Sequence, residues 1–565
     1  MKHVFLIIAL GLAALSLVAW RWRPPQAPDY RLAMIEAVLD AAGAEGQRGL
    51  AWSQFQSFMR EADANGDGVI TLMELAHRPG EPLWRTRLRV AFDRIDANAD
   101  GGIDAAEQRR LFDSLDATGD GVLTPHDRPA PPTTLLWATD DNPVRREQMD
   151  LFNAYHPEYR VVLDPIVGTM EKVIVQCIAG VGPDIFDCYS GAQLAAFVRS
   201  GIAYDATEAL AARGVDVNEV WPAVHPLILL DDRLYGHPGN TSADAVWYNK
   251  RLFDEARMPY PPDDWTWDEC IAIAKRLTRR DARGRPVQFG LMTGRFAWRT
   301  TFVPQWGGSL YNEEGTRCAL DAPEARAGAE FHCDLIYRHG VCPSATEEIA
   351  MANQGGWGLG EQNWFATERT AMAVGGRWWL CTLRRPAFKH LRYGVAPLPR
   401  GPLRRGVGGG RASLVNRNSP HLEGALAFVA FMHGKEWNQL MNRQADALAP
   451  VLKYHYGDYA DAFLRDPRHP DEDFNAVWLE TLENAIPERP SPFVIGQRVE
   501  RIILNESDLM AGGLKTGDQA MRDVARDINE AIVEMLRLDP ELRARYDALL
   551  AQGAAPAWNS EADAP

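Results

Sequence analysis

The sequence predicts an α/β protein with an all-α module ahead of it and an apolar segment ahead of both. Three observations carry that expectation. Residues 4–20 (VFLIIALGLAALSLVAW) are uncharged and apolar, three acidic twelve-residue loops recur between Asp63 and Asp127, and strand-like and helix-like stretches alternate from Thr133 onward. A chain of 565 residues is long enough for several domains. Its net charge of −16 offers no basic face, so no nucleic-acid partner is expected.

The apolar run has Lys2 before it and Arg21 and Arg23 after it. A spanning helix needs roughly 20 residues, which puts this run at the short end for an anchor and the long end for a signal-peptide core. Trp20 and Trp22 among arginines read as an interfacial belt, so an uncleaved signal-anchor over 1–23 is expected, the alternative being a cleaved signal peptide. Either exports the remainder to the periplasm, tethered to the inner membrane in the first case and soluble in the second. Seven cysteines are scattered without a CxxC pattern and read mostly as small buried hydrophobes.

The acidic loops are DANGDGVITLME (63–74), DANADGGIDAAE (96–107) and DATGDGVLTPHD (116–127). A hard divalent cation is held by oxygens at loop positions 1, 3 and 5, a carbonyl at 7, a side chain or water at 9 and a bidentate carboxylate at 12, with glycine turning the chain at 6. The first loop supplies Asp63, Asn65, Asp67, Val69, Thr71 and Glu74. The second supplies Asp96, Asn98, Asp100, Gly102, Asp104 and Glu107. The third supplies Asp116, Thr118, Asp120, Val122, Thr124 and Asp127, where the shorter Asp127 arm predicts weaker binding. With no thiolate or imidazole in the set, Ca²⁺ is the expected ion, with two strong sites and one weaker. These are EF-hand loops. A degenerate fourth loop without carboxylates aligns at 43–54, 20 residues before the first, and the third follows the second by the same offset. Four hands in two consecutive pairs, split at Pro79–Pro82, are therefore expected over 28–128.

Beyond the Pro-rich linker at 128–132, residues 133–139 read as a strand and 145–157 as a helix. Tyr159–Asp164 reads as a strand, Met170–Ala179 as a helix and Asp184–Cys188 as a strand. Such alternation predicts a parallel sheet with crossover helices and a ligand site beyond the strands' carboxyl ends, near 140–142 and 189–191. No nucleophile elbow, HExxH or phosphate loop accompanies it, so no enzyme is expected.

From Thr133 to about Leu550 the chain resembles the family 1 extracellular solute-binding proteins, the receptors of ABC sugar importers. The segments that carry the resemblance are GPDIFD (182–187), YGHPGNTSADAVWYNKRLFDEA (235–256), FGLMTG (289–294), WGGSLYN (306–312), FATERTAMAVGGRWWL (365–380), YGVAPLPRG (393–401) and GGGRASLVNRNS (408–419). The resemblance implies a two-lobe periplasmic-binding-protein fold over 133–550, with residues 551–565 as a disordered tail. Residues 244–249 would make the first crossing between lobes and 394–401 the return, with ligand trapped between.

Sugar sites combine aromatic platforms for C–H faces with side chains that bond hydroxyls. The resemblance puts Trp247, Tyr248 and Trp306 at ligand-contact positions and adds Trp378 among cleft-facing aromatics. Arg411 is a candidate partner for hydroxyls or a carboxylate, and Asp141 and Asp187 are candidates at strand ends. The alternatives are core packing for any one tryptophan and a helix cap or hinge bond for the aspartates. The implied function is the carbohydrate-binding component of an importer, with an oligosaccharide as ligand, an ABC permease of the inner membrane as partner and calcium as a structural brace. The alternative is a membrane-anchored, calcium-dependent sugar sensor or adhesion protein. The hands hold few methionines, which favours the brace.

Overall fold

The computed structural model describes residues 34, 35, 37–39, 49–75, 83–96, 98, 100–124, 127, 132–164, 170–351, 360–444, 446–466 and 468–557. The expected membrane segment, 1–23, lies outside them, as do residues 43–48 of the degenerate loop. Among the described residues no helix is long and apolar enough to cross a membrane. The chain forms two units, one of residues up to 133 with 153–160, the other of 134–152 with the rest.

Among the described residues, the first unit is built on four two-residue strands, β1 (Leu50–Ala51), β2 (Ile70–Thr71), β3 (Gly102–Ile103) and β4 (Val122–Leu123), with helices Trp52–Met59, Leu83–Val90 and Ala105–Leu115 between them. The pairing is nested. β2 pairs with β3, matching Ile70 to Ile103, and β1 pairs with β4, matching Leu50 to Leu123. This corrects the consecutive pairs expected from the sequence. A spacing of 20 residues leaves room for one shared helix between neighbouring loops, so those loops sit at its opposite ends. Helix Ala105–Leu115, at 1.5 Å per residue, keeps its two loops about 16 Å apart. Position 7 carries the matching signal. A Cβ on Gly102 would lie 2.3 Å from Val69 Cγ1, and one on Gly49 2.3 Å from Val122 Cγ1, so each interface sets one valine against one glycine. Ile70, Ile103 and Leu123 then enter a core with Phe55 and Phe112, whose rings meet edge-on at 5.4 Å.

From Thr133 onward the chain forms, among its described residues, two main sheets and a two-stranded hairpin. The strands there are β5 (Thr133–Ala138), β6 (Tyr159–Leu163), β7 (Ile185–Cys188), the hairpin β8 (Leu229–Leu230) and β9 (Arg233–Leu234), β10 (Gly236–Ser242), β11 (Asp244–Asn249), β12 (Arg279–Arg280), β13 (Pro286–Met292), β14 (Thr370–Gly376), β15 (Tyr393–Ala396), β16 (Gly406–Val415) and β17 (Ala485–Pro487). The first sheet runs β10-β16-β7-β5-β6, with β17 added on β16, and the second runs β12-β13-β14-β11-β15. Each organises one lobe. Both sheets are mixed where a purely parallel one was expected. β5 and β7 run parallel, as do β13 and β14, but β16 returns from the other lobe and lies antiparallel to β7 and β10.

The chain passes between lobes at Ala243, between β15 and β16, and after β17. The last passage leads to helix Gly496–Ala511, which packs with helix Gly517–Leu538 in a common core. The C-terminal expectation is corrected for the described part of the tail. Helix Pro540–Ala551 is followed by chain held in place, since Ala557 N–H donates to Tyr546 Oη at 2.6 Å and Ala557 is buried beside it. Residues 558–565 lie outside the described set. The seven cysteines are present as thiols, six of them buried.

Candidate functional site

In the first acidic loop, Gly68 at position 6 has φ +88°, and Gly101 and Gly121 repeat the turn at +90° and +81°. That left-handed turn folds position 12 back onto the loop's start. Glu74 Oε1 accepts N–H bonds from Ala64 and Asn65, and Asp63 accepts from Gly66 and Gly68. These amides hold the Glu74 carboxyl below its ordinary range, the Thr71 amide most of all. Asp127 is fully buried. It accepts from the amides and hydroxyls of both Thr118 and Thr124, and these outweigh burial to lower its carboxyl too. The loop carboxylates thus bond their own amides, and among the described residues no three acidic, His or Cys side chains are gathered at ligand spacing. Donor type and loop fold fit a hard cation.

The second unit's candidate residues divide into interior and cleft groups. Trp247 is completely buried on β11, between β14 and β15. It stacks on Trp379 at 6.2 Å with 6° between planes and meets Trp478 at 5.3 Å and Phe474 at 5.7 Å. Tyr248 points to the other face, against Phe253 and Tyr260, with its hydroxyl pushed up to about 12 by burial. Trp306 is half-buried on Phe331 at 4.6 Å, in the same core as Tyr248. These placements correct the ligand-contact expectation for Trp247 and Tyr248 and place Trp306 in packing. β11 is a central strand covered on both faces, so both parities of its side chains are core.

Asp187 and Arg411 do come together, but inside the first lobe. Arg411 Nη1 lies 3.3 Å from Asp187 Oδ2, and the Asp187 carboxylate also accepts from Trp137 Nε1 at 2.9 Å and Ser413 Oγ at 2.7 Å. Gly239 makes room for the guanidinium, since a Cβ there would stand 2.4 Å from Arg411 Nη2. Buried Arg145 continues the network to Asp446, to Gln148 and, at 2.9 Å, to Asp140. Burial opposes both charges, yet Arg145 is raised by Asp446 and Asp140, and Asp446 is lowered by Arg145 and Arg411. This is a buried charge network supporting the carboxyl ends of β5 and β7, in which Arg411 Nε is left without a partner. Asp187 and Arg411, expected as ligand contacts, therefore serve as its floor.

Above that floor the loops stay open. Asp141 is exposed, and Tyr189 is 44% exposed with its hydroxyl donating to Asp140 Oδ2 at 3.3 Å. Asn142 reaches across the lobes, with Nδ2 4.0 Å from Cys381 Sγ. From the crossing and the second lobe come Ser242, Asp244 and Trp378, all half-buried. A Cβ on Gly376 would lie 2.6 Å from Ser242 Oγ and 2.7 Å from Trp378 Cδ1, so hydroxyl and indole converge on one spot. Burial pushes the Asp244 carboxyl up to about 6, against a hydrogen bond from Thr300. Of the residues expected from the sequence, Asp141 and Trp378 lie here, beside Ser242 and Asp244, which the sequence did not single out. Their signal was parity, because residues 242 and 244 flank the crossing and face the same way.

A family model described as bacterial extracellular solute-binding protein matches residues 138–439, more than half the chain. The chain belongs to that family. It is a family of binding proteins without catalysis, found outside the cell membrane. A second model, EF hand, matches residues 55–77 and 88–111 of this solute-binding protein.

Among curated relatives, a binding protein of Brucella abortus is 28% identical over 234 residues, 40% of this chain and 52% of that protein. An arabinooligosaccharide-binding protein of Halalkalibacterium halodurans is 27% identical over 36% of this chain and 44% of its own length. The chain spans about half the length of the curated relatives it matches. Among solved structures, a Listeria monocytogenes ABC substrate-binding protein in complex with cycloalternan aligns with TM-score 0.60 at 20% identity, covering 71% of this chain and 98% of that one. Maltose-bound MalE3 of T. maritima aligns with TM-score 0.57 at 21% identity over 70% and 98%. These likenesses establish the two-lobe fold.

Proposed function

We propose that this solute-binding protein captures an oligosaccharide between its lobes and presents it to an ABC permease. The observation that carries the reading is the convergence of the half-buried Trp378 indole with Ser242 Oγ, beside Asp244 and below exposed Asp141 and Tyr189. An indole face packs on a sugar's C–H face, while the hydroxyl and carboxylates bond its hydroxyls. The saccharide ligands named for its relatives support that class. Calcium held by the loops at 63–74, 96–107 and 116–127 would brace the N-terminal unit, the third loop most weakly through the short arm of Asp127. The N-terminal segment 1–23 would tether it to the inner membrane. Calorimetric titration of the full chain in calcium buffer with gluco- and arabino-oligosaccharides tests this. Saturable one-to-one binding is expected, and heat from none of them would sink the reading.

A further inference from the structure

The five residues Trp298–Phe302 form a π-turn, a rare geometry that often marks functional positions. This turn touches all three passages between the lobes. Thr300 sits beside the Asp244 carboxyl on the first. The carbonyl of Thr300 lies 3.4 Å from where a Cβ on Gly406 would stand on the second. Arg299 Nη2 donates to Glu488 Oε2 at 2.9 Å on the third. Trp298 Nε1 anchors the turn to Ser507 Oγ at 3.0 Å.

A cavity of ≈ 400 Å³ opens against the same turn, lined by Trp298 and Val303 on one side and by Val407, Ile486 and Pro487 of the passages on the other. None of Asp141, Tyr189, Ser242, Asp244 or Trp378 borders it. Its size lies in the range of small-molecule sites, and its walls are mostly apolar. Its charged groups are unequally satisfied. Arg299 is neutralised by Glu488 and Glu500, and Arg489 stands 3.7 Å from Glu313. Arg405 is fixed on the wall by its Nε–H bond to the Pro304 carbonyl at 3.0 Å, and among the described residues no carboxylate pairs with it. A fixed cation on an apolar wall complements an anion carried on an apolar body.

We propose that this cavity is a second ligand site, for a small molecule with an apolar body and one anionic group, placed to act on lobe movement through the π-turn. The effect on lobe movement rests on the proposed sugar-binding reading; the site itself does not. An occupant wedged between Trp298 and the strands Val407 and Ile486 resists their relative motion, so sugar binding should feel it.

The test is titration of the full chain with 8-anilinonaphthalene-1-sulfonate, read by fluorescence and calorimetry. One saturable site per chain is expected, weakened at least tenfold by Arg405→Gln and abolished by Ile486→Trp, which fills the cavity. Saturating probe should shift the Kd for the bound oligosaccharide at least threefold. Absence of a saturable site, or a site indifferent to Arg405→Gln, overturns the proposal even if sugars bind normally. A site that behaves as stated while the sugar Kd stays fixed overturns its action on the hinge. A protein that binds the probe as stated and no sugar at all overturns the transport reading and leaves the site standing.

Discussion

Trp247→Ala and Trp378→Ala should have crossed effects on stability and affinity, because the two indoles lie on opposite sides of one aromatic cluster. Trp247 is fully buried against Trp379, Trp478, Phe474 and Tyr393. Truncating a buried tryptophan costs about 3–5 kcal/mol in transfer and cavity terms. For a unit of roughly 420 residues, about 2.1 cal/mol/K per residue gives ~0.9 kcal/mol per degree, so the melting temperature should fall by about 3–6 °C. Sugar affinity should change less than about threefold. Trp378 is half-buried and meets Trp379 edge-on at 6.3 Å, a contact worth about 0.5–1.5 kcal/mol. Its loss should lower the melting temperature by no more than about 2 °C and cost at least about 2 kcal/mol of binding, roughly 30-fold. Trp247→Phe should sit between, since it keeps a ring and removes an indole N–H that has no partner in the interior. Scanning calorimetry and sugar titration of the three variants decide the matter. Lost affinity at unchanged stability in Trp247→Ala would refute the reasoning.

Calcium titrations should show the loops 63–74 and 96–107 coupled, because β2 pairs with β3. Glu74→Gln should weaken both, and Asp127→Asn neither; equal coupling of all three loops would contradict the nested pairing. Chelation should lower the melting temperature of the N-terminal unit and leave sugar affinity within about twofold. Asp187→Ala removes the nearer carboxylate from the buried Arg411 guanidinium, leaving Asp446 at 4.0 Å, and should cost about 3–5 kcal/mol, most of it recovered in Asp187→Leu with Arg411→Met. Asp244 supplies a pH signature. Its folded carboxyl is raised from 3.8 to about 6, so its stabilising contribution is fully present below pH 3.8 and lost as pH rises through about 6. The stability of the wild type relative to Asp244→Asn should fall across that window by at most about 3 kcal/mol, and a flat difference would count against the burial of this carboxyl.

The turn of the acidic loops was legible because their residues stand at fixed spacing, and the position-6 glycines adopt the turn that spacing requires. Their pairing was legible in principle at Gly49, Val69, Gly102 and Val122, but a repeat offset of 20 read as a pair when it encodes a shared helix. The alternation after Thr133 located β5, β6 and β7 to within a residue or two. It could not reveal β16 arriving antiparallel from the other lobe, because strand direction is a property of connections thousands of atoms away in the chain. Site residues failed where burial decides the role. Trp247 and Tyr248 sit in a segment whose two faces are both covered, so aromatic content there reports packing. Asp140 and Asp141 are adjacent at one strand end, and only the fold shows that the first pairs with Arg145 while the second stays open.

The most direct test of the account is a calorimetric titration of the calcium-loaded full chain with a panel of gluco- and arabino-oligosaccharides, repeated on Trp378→Ala. One-to-one binding of at least one oligosaccharide, weakened roughly 30-fold by the substitution, is the predicted result. Binding that survives Trp378→Ala unchanged, or no binding across the panel by a folded protein, would contradict it.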